Sequence, residues 1–253
     1  MNRTILDLIY RFRRVILKRI VPEFIWPISV QMDGAEIPVR GMPYSFGVKR
    51  TLSKGIYEDS ERCLIKEIIR KGDNIIEFGG SIGIMAAIMS EIVGRDGHIV
   101  SVEASGRLAA HSKDWLEPKG NVKIVSGIGY PVWEAPSRFH NIDFIDDGNS
   151  LGGRVDFHSN GSSHNDFDIF DLKKLISLYE IEPNHLVIDI EGSEIIYLED
   201  DIEIPITVQN IVIEMHPDLY GQKTEEAIIY RLEQLGFRMM KEVHHVYLLS
   251  RNR

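Results

Sequence analysis

The chain has 253 residues, enough for one large α/β domain or two small ones. Hydrophobic residues make up 43% of it and charged residues 26%, which excludes disordered and fibrous proteins. The formal net charge of −9 argues against a nucleic-acid-binding protein, so we expect no nucleic-acid partner. The single cysteine, Cys63, excludes an internal disulfide and favours a reducing, cytoplasmic compartment.

The N-terminal segment differs in charge from the rest of the chain. Residues 1–20 contain six basic side chains and one acidic one, a net charge of +5, so the remaining residues carry −14. Apolar residues at a period of 3.6 predict an amphipathic helix over residues 4–20. Its apolar face could dock on the protein itself, form a homodimer, or make peripheral contact with the inner face of a membrane. No stretch is long and apolar enough for a transmembrane helix, and the N-terminus lacks the features of a signal peptide.

After residues 21–50, where prolines predict loops and short strands, strands and helices alternate. This alternation predicts a doubly wound, mostly parallel sheet with helices on both faces. We predict helices at 60–71, 82–93, 170–180, 193–199 and 225–235, and strands at 74–78, 97–104, 121–125, 185–192, 209–217, 237–242 and 244–249. We divide the chain into an N-terminal helix and connecting segment (1–50) and a catalytic domain (51–253), in which the polar stretch 141–167 is a substrate-side insert.

A glycine-rich turn follows the first predicted strand of this domain, in the sequence IIEFGGSIGIMAA (75–87). Glycine allows positive φ and close approach of a ligand, and the helix that follows offers free N–H groups. Glu103 ends the next strand, where a carboxylate can accept hydrogen bonds from both hydroxyls of a ribose. The arrangement predicts an adenosyl cofactor held by Glu77, Gly79, Gly80, Ser81, Gly83 and Glu103.

Two features of the turn favour S-adenosylmethionine over NAD, although spacing alone leaves both open. The glycines are spaced as E-x-G-x-x-x-G instead of the G-x-G-x-x-G of dinucleotide sites. The carboxylate of Glu77 would repel a pyrophosphate but attract a sulfonium or ammonium group.

A second group of polar residues follows two later strands. Asp189 ends one strand, with Glu191 just beyond it, and Glu214 and His216 end the next. Because ligands of open α/β sheets bind outside the carboxyl ends of the strands, these side chains should meet in the cleft that holds the glycine turn. For Glu194, in a first helical turn, we favour a capping role.

These residues resemble the FkbM-type family, a branch of the class I S-adenosylmethionine-dependent methyltransferases. The matching blocks are GIYE (55–58), IIEFGGSIG (75–83), VSVEAS (100–105), VIDIEGSE (187–194) and VIEMHP (212–217). The resemblance covers about residues 50–250 and implies a seven-stranded, Rossmann-like methyltransferase sheet whose last strand is antiparallel. It adds Tyr57, Ala104 and Ser126 to the cofactor-binding residues, and Asp189 as a further contact. It also implies a sugar-containing acceptor, with O-methylation of a hydroxyl in a bacterial surface polysaccharide or glycosylated metabolite.

Transfer of a methyl group to a hydroxyl needs an aligned acceptor and removal of its proton. His216 is the first choice as general base because imidazole titrates near neutral pH, Glu191 is the second, and Asp189 would orient the cofactor or the acceptor. No tight spacing of ligands demands a metal, so Mg²⁺ is possible but not favoured. Its oxygen ligands would come from Asp146, Asp147, Asp189, Glu191 and Glu214.

Two alternatives to a sugar O-methyltransferase stay open at this point. One is an NAD-dependent oxidoreductase on a similar sheet. The other is a catalytically degenerate methyltransferase fold that acts as a binding or scaffold protein.

Overall fold

The structure is a computed structural model that describes residues 22–140, 143–146, 153–156 and 167–251. The helix predicted over residues 4–20 and most of the insert 141–167 lie outside the described residues. The chain forms two compact units, Met1–Tyr57 and Glu58–Arg253. None of the helices in the described part of the chain has the length and hydrophobicity needed to cross a membrane.

The first unit contains a hairpin and a short helix. Strands β1 (Ser29–Met32) and β2 (Ala35–Pro38) pair antiparallel, in agreement with the short strands expected here. Helix α1 (Phe46–Ser53) was not predicted. It begins after Ser45, whose hydroxyl accepts a hydrogen bond from the N–H of Val48 and so caps the helix.

The second unit is built on a seven-stranded sheet in the order β12-β13-β11-β10-β3-β4-β5. All strands run parallel except β13, which is antiparallel to both of its neighbours, so the predicted methyltransferase sheet is confirmed. The strands are β3 (Asn74–Phe78), β4 (His98–Glu103), β5 (Val122–Ser126), β10 (His185–Ile188), β11 (Asn210–Glu214), β12 (Phe237–Val243) and β13 (Val246–Arg251).

Helices connect the strands and cover the sheet, and apolar side chains between them form the core. They are α2 (Asp59–Ile68), α3 (Ile84–Val93), α4 (Gly106–Leu116), α5 (Leu172–Tyr179), α6 (Pro217–Tyr220) and α7 (Gln222–Gln234). Helix α3, with the sequence IMAAIMSEIV, is apolar on nearly all sides and correspondingly almost completely buried.

Short elements lie outside the main sheet. Strand β6 (Ile128–Tyr130) pairs parallel with β9 (Ile169–Asp171). Within the predicted insert, β7 (Asp143–Asp146) pairs antiparallel with β8 (Gly153–Asp156). The helix predicted over 193–199 is a 3₁₀ helix, Ser193–Leu198.

The order of the strands determines where a ligand can bind. The chain proceeds from β3 to β4 and β5 on one side, and β10 and β11 lie on the other side of β3. The direction of winding therefore reverses between β3 and β10. In open α/β sheets the crevice at the carboxyl ends of two such strands is the usual ligand site.

Candidate active site

The turn after β3 contacts the end of β10 at this reversal point. Gly79 has φ +90°, and its N–H and that of Gly80 both donate to the carbonyl of Val102, at 2.9 and 3.1 Å. A Cβ atom on Gly79 would lie 1.6 Å from the carbonyl oxygen of Asp189. Only glycine therefore allows this turn and the Asp189 backbone to meet.

The rest of the turn is packed almost as closely. A Cβ on Gly80 would lie 2.0 Å from the hydroxyl oxygen of Ser101, and one on Gly83 would lie 2.5 Å from Leu116. Ser81 adopts φ +46°, a left-handed conformation that costs energy in a residue other than glycine. Such strain is typical of ligand-binding turns.

Glu103 joins the turn to the start of α4. One carboxylate oxygen accepts the N–H of Ser81 and the other accepts the N–H of Ser105, both at 2.7 Å. Glu103 thus lies at the end of β4 as predicted, with its orientation fixed by backbone amides on both sides.

Glu77 is buried beneath the same turn, with 2% of its surface exposed. Its carboxylate accepts a hydrogen bond from the hydroxyl of Ser101. Burial raises the pKa of Glu77 to about 7, with the hydrogen bond from Ser101 opposing the rise and the charge of Glu103 adding to it. Glu77 therefore supports the turn from within the protein.

This shifted pKa predicts a pH-dependent effect of Glu77→Gln on stability. An unfolded glutamate releases its proton near pH 4.5, whereas folded Glu77 holds it to about pH 7. The wild type therefore loses stability as the pH rises through this window, and the variant, which has no such proton, does not. We expect the free energy of unfolding of the variant to rise by about 3 kcal/mol relative to that of the wild type between pH 4 and pH 8, measured by urea unfolding. If the two proteins differ in stability by the same amount at both pH values, the prediction is wrong.

The three cofactor residues added by the resemblance occupy different places. Ser126 is exposed at the end of β5, where it pairs with Glu103 of β4. Ala104 is half-buried and directly follows β4. Tyr57 is buried and belongs to the first unit. Their contacts with a cofactor stay predictions.

The second predicted group of side chains meets at the ends of β10 and β11. His216 Nε2 lies 3.5 Å from Asp189 Oδ1 and 3.4 Å from Glu191 Oε2. Glu191 has φ +49°, again a strained backbone in a residue other than glycine. The convergence of these three residues follows the sequence prediction.

Glu194 has a different position from the one expected. Instead of capping a helix, it is completely buried, and its Oε1 lies 3.0 Å from His216 Nδ1, within hydrogen-bonding distance. The capping prediction is wrong because Oε1 is engaged by His216, which follows β11, and Oε2 has no hydrogen-bond partner in the described part of the chain. Burial alone would lower the pKa of His216, but the bond to Glu194 and the neighbouring carboxylates raise it.

Two acidic residues at the start of α2 were missed as members of this cluster. Glu58, which precedes α2 with φ +41°, has its pKa raised to about 7 by burial and by the charges of Glu214 and Glu191. Glu61 is buried, and burial together with the charge of Asp189 raises its pKa well above the usual range. The sequence held one signal, since Glu61 shares the buried face of α2 with Leu64 and Ile65.

The acids of the cluster disfavour one another's ionised forms. Burial raises the pKa of Asp189, and the charges of Glu214, Glu191, Glu58 and Glu194 add to the rise. Burial also raises the pKa of Glu214, while His216 opposes it. Of the other predicted magnesium ligands, Asp146 is described only in its backbone and Asp147 lies outside the described residues.

Comparison with known proteins gives a match to the part of the chain that contains the glycine turn. The matching family model is that of protein-L-isoaspartate (D-aspartate) O-methyltransferases, and it covers residues 35–145. This range includes the glycine turn and Glu103 but ends before Asp189 and His216.

The relatives and structural neighbours match parts of the chain. A protein-L-isoaspartate O-methyltransferase of Ignicoccus hospitalis is 36% identical over 63 residues, 24% of this chain and 30% of the relative. One from Methanosarcina mazei is 36% identical over 95 residues, 36% of this chain and 38% of the relative. The chain thus matches less than two fifths of the length of either. A solved structure of Aeropyrum pernix fibrillarin with natively bound S-adenosyl-L-methionine covers 72% of this chain and 66% of its own, with a TM-score of 0.44 and 14% identity.

These matches correct the family inferred from the sequence. The resemblance to FkbM-type enzymes is wrong, and the sugar-containing acceptor and the role in polysaccharide biosynthesis are wrong with it, because the matching model and the curated relatives are protein-L-isoaspartate O-methyltransferases. The error has a physical basis: the blocks behind the resemblance are cofactor turns and strand ends, which the methyltransferase fold requires whatever the acceptor. The matching model and the curated relatives are methyltransferases, which agrees with the broader class that the sequence predicts.

Proposed function

We propose that this chain transfers the methyl group of S-adenosylmethionine to a carboxylate oxygen, and that isoaspartyl residues of proteins are the acceptor. The observation that carries the proposal is the glycine turn at the β3–β10 reversal point, joined to Glu103 and lying inside the range that the family model matches. The acceptor class comes from the name of that family and of the curated relatives.

The proposed cofactor site extends from the turn toward Glu103. Its carboxylate would accept hydrogen bonds from the ribose hydroxyls, while its bonds to Ser81 and Ser105 prevent it from turning away. The free amides at the start of α3 and the glycines of the turn let the cofactor approach the backbone. Glu77 would act from below by keeping the turn in place.

A carboxylate acceptor changes the chemistry required of the second cluster. A carboxylate is already ionised at neutral pH, so its oxygen attacks the sulfonium methyl without loss of a proton. The new C–O bond forms as the S–CH₃ bond breaks, and one negative and one positive charge disappear together. Because charge is lost, such a step is favoured where water is excluded from the reacting groups. The role of His216 as general base was argued for a hydroxyl, so we propose instead that His216, Glu191 and Asp189 line the acceptor side.

The acceptor can be tested with a matched pair of peptides. One peptide contains an isoaspartyl linkage and the other has the same sequence with a normal aspartyl linkage. With S-adenosylmethionine labelled in its methyl group, we expect label only in the isoaspartyl peptide, as an ester that mild alkali releases. Label that resists alkali, or equal labelling of both peptides, would contradict a carboxylate acceptor of this kind.

Cofactor binding can be tested separately by calorimetry. We expect S-adenosylhomocysteine to bind with a micromolar dissociation constant, equivalent to about 8 kcal/mol. Failure to bind would favour the degenerate binding or scaffold protein, and binding of NAD in its place would favour the oxidoreductase.

A further inference from the structure

The cluster at the ends of β10 and β11 has a geometry that the methyl-transfer chemistry does not explain. One ligand atom each from Asp189, Glu191 and His216 lie within 4.8 Å of one another. His216 Nε2 is 3.5 Å from Asp189 Oδ1 and 3.4 Å from Glu191 Oε2. In a tetrahedral site, ligand atoms that each lie about 2.1 Å from the ion are about 3.4 Å from one another, which is close to these two distances.

The other nitrogen of His216 has a partner that fixes the ring. Nδ1 lies 3.0 Å from Oε1 of Glu194, whose side chain is completely buried. A carboxylate can only accept, so Nδ1 carries the hydrogen and Nε2 is the nitrogen that faces Asp189 and Glu191. A histidine held by a buried carboxylate through one nitrogen, with the other directed at further ligands, is the usual arrangement around a protein-bound metal.

The facing oxygen of Asp189 supplies an independent observation. Oδ1 is buried and has no hydrogen-bond partner among the residues that the structure describes, although His216 Nε2 is its neighbour. A charge-assisted hydrogen bond would bring these atoms to about 2.8 Å. The observed separation of 3.5 Å leaves this buried carboxylate oxygen without a hydrogen bond, which costs free energy unless a cation binds it.

The surrounding charge points in the same direction. Glu58, Glu61 and Glu214 interact electrostatically with this cluster, and all three are buried or half-buried acids. Carboxylates that are buried close together repel one another when they ionise, and a divalent cation offsets this repulsion.

We propose that Asp189, Glu191 and His216 bind a divalent metal ion, with Glu194 as the residue that orients His216. An imidazole nitrogen combined with two carboxylate oxygens suits Zn²⁺ or Mn²⁺ better than Mg²⁺, whose sites are built from oxygen ligands. Three protein ligands leave one or more coordination positions open to water or to an acceptor oxygen. This binding does not depend on the proposed methyl transfer.

The test uses the full chain after treatment with a chelator. Co²⁺ serves as the probe because its visible absorption reports coordination by protein ligands, and Zn²⁺ is titrated by calorimetry. We expect one equivalent of either ion to bind. Asp189→Asn and His216→Ala should each weaken binding at least tenfold, and Glu194→Gln about tenfold, because it acts through the ring of His216.

Asp218→Asn provides a matched control, since Asp218 is an exposed acid two residues from His216. It should leave the dissociation constant within about twofold of the wild type, which would show that loss of one local charge is insufficient. Glu191→Gln, which keeps the size of the side chain, replaces His216→Ala if that variant does not fold. Binding that is equal in the wild type, Asp189→Asn and Glu191→Gln, or no binding to the wild type, would overturn the proposal.

Calorimetry with S-adenosylhomocysteine on the same samples separates the two proposals. Cofactor binding without metal binding would overturn only the metal site. Metal binding that is weakened at least tenfold in Asp189→Asn and His216→Ala, without cofactor binding, would support the metal site and count against the methyltransferase function.

Discussion

Gly79→Ala is expected to destabilise the protein by at least about 4 kcal/mol and to abolish binding of S-adenosylhomocysteine. The new Cβ would lie 1.6 Å from the carbonyl oxygen of Asp189. That oxygen belongs to the backbone at the end of a central strand, so it cannot move aside as the tip of a flexible side chain could. Relief would require separating the turn from β10, which breaks the proposed cofactor site and costs much of a typical stability of about 5–15 kcal/mol. Urea unfolding and calorimetry measure the two effects.

Gly120→Ala is the matched control for Gly79→Ala. Gly120 has φ +88°, nearly the value of Gly79, but a Cβ there would have no atom within 4 Å. We therefore expect the control to lose only the about 1–2 kcal/mol that a left-handed backbone costs in a residue with a Cβ, because no clash is added. If both variants lose the same stability, the contact with Asp189 does not determine the effect.

We expect the second large effect from Glu103→Ala, which should lower both the stability of the protein and its affinity for the cofactor. The change leaves the N–H groups of Ser81 and Ser105 without their carboxylate acceptor. Bonds to a charged group contribute about 1.5–3 kcal/mol each, so we expect a loss of about 3 kcal/mol in the free energy of unfolding. Loss of the proposed ribose contact should also weaken the binding of S-adenosylhomocysteine at least about 100-fold, which corresponds to close to 3 kcal/mol of binding free energy.

Glu117→Ala separates the two consequences of Glu103→Ala. Glu117 also accepts a hydrogen bond from a backbone amide, that of Ile124 at 3.2 Å, but it lies at the other end of α4 from Glu103. We expect this variant to lose about 1 kcal/mol and to keep its cofactor affinity. Unchanged affinity in Glu103→Ala would remove Glu103 from the cofactor site, whatever its effect on stability.

The sequence was sufficient to predict the sheet and the cofactor turn. Alternation of buried strands with amphipathic helices depends on local periodicity, and the predicted strand 74–78 coincides with β3. The turn was predictable because only glycine tolerates its backbone, as Gly79 shows. Both features depend on residues that are close together in the chain.

The acid cluster was only partly predictable. The sequence predicted that Asp189, Glu191 and His216 lie close together, because they follow strands whose carboxyl ends meet at one edge of the sheet. Glu58 and Glu61 lie at the start of a helix more than a hundred residues away in the chain, and Glu194 was assigned a local cap. Their place in the cluster depends on how α2 and the 3₁₀ helix pack on the sheet, which no short segment encodes.

The sequence by itself determined the α/β class, the parallel sheet with one antiparallel strand, and the adenosyl-type turn, because each depends on periodicity or on residues close together in the chain. It did not determine the acceptor, since the motifs that it contains serve the cofactor in any enzyme of this fold. Only the tertiary structure decided that Glu194 orients His216, that Glu58 and Glu61 join the cluster, and that Asp189 Oδ1 is buried beside His216 Nε2 without a hydrogen bond among the described residues. These facts depend on distances between distant segments and on the loss of water around charged groups, and both arise when the chain folds.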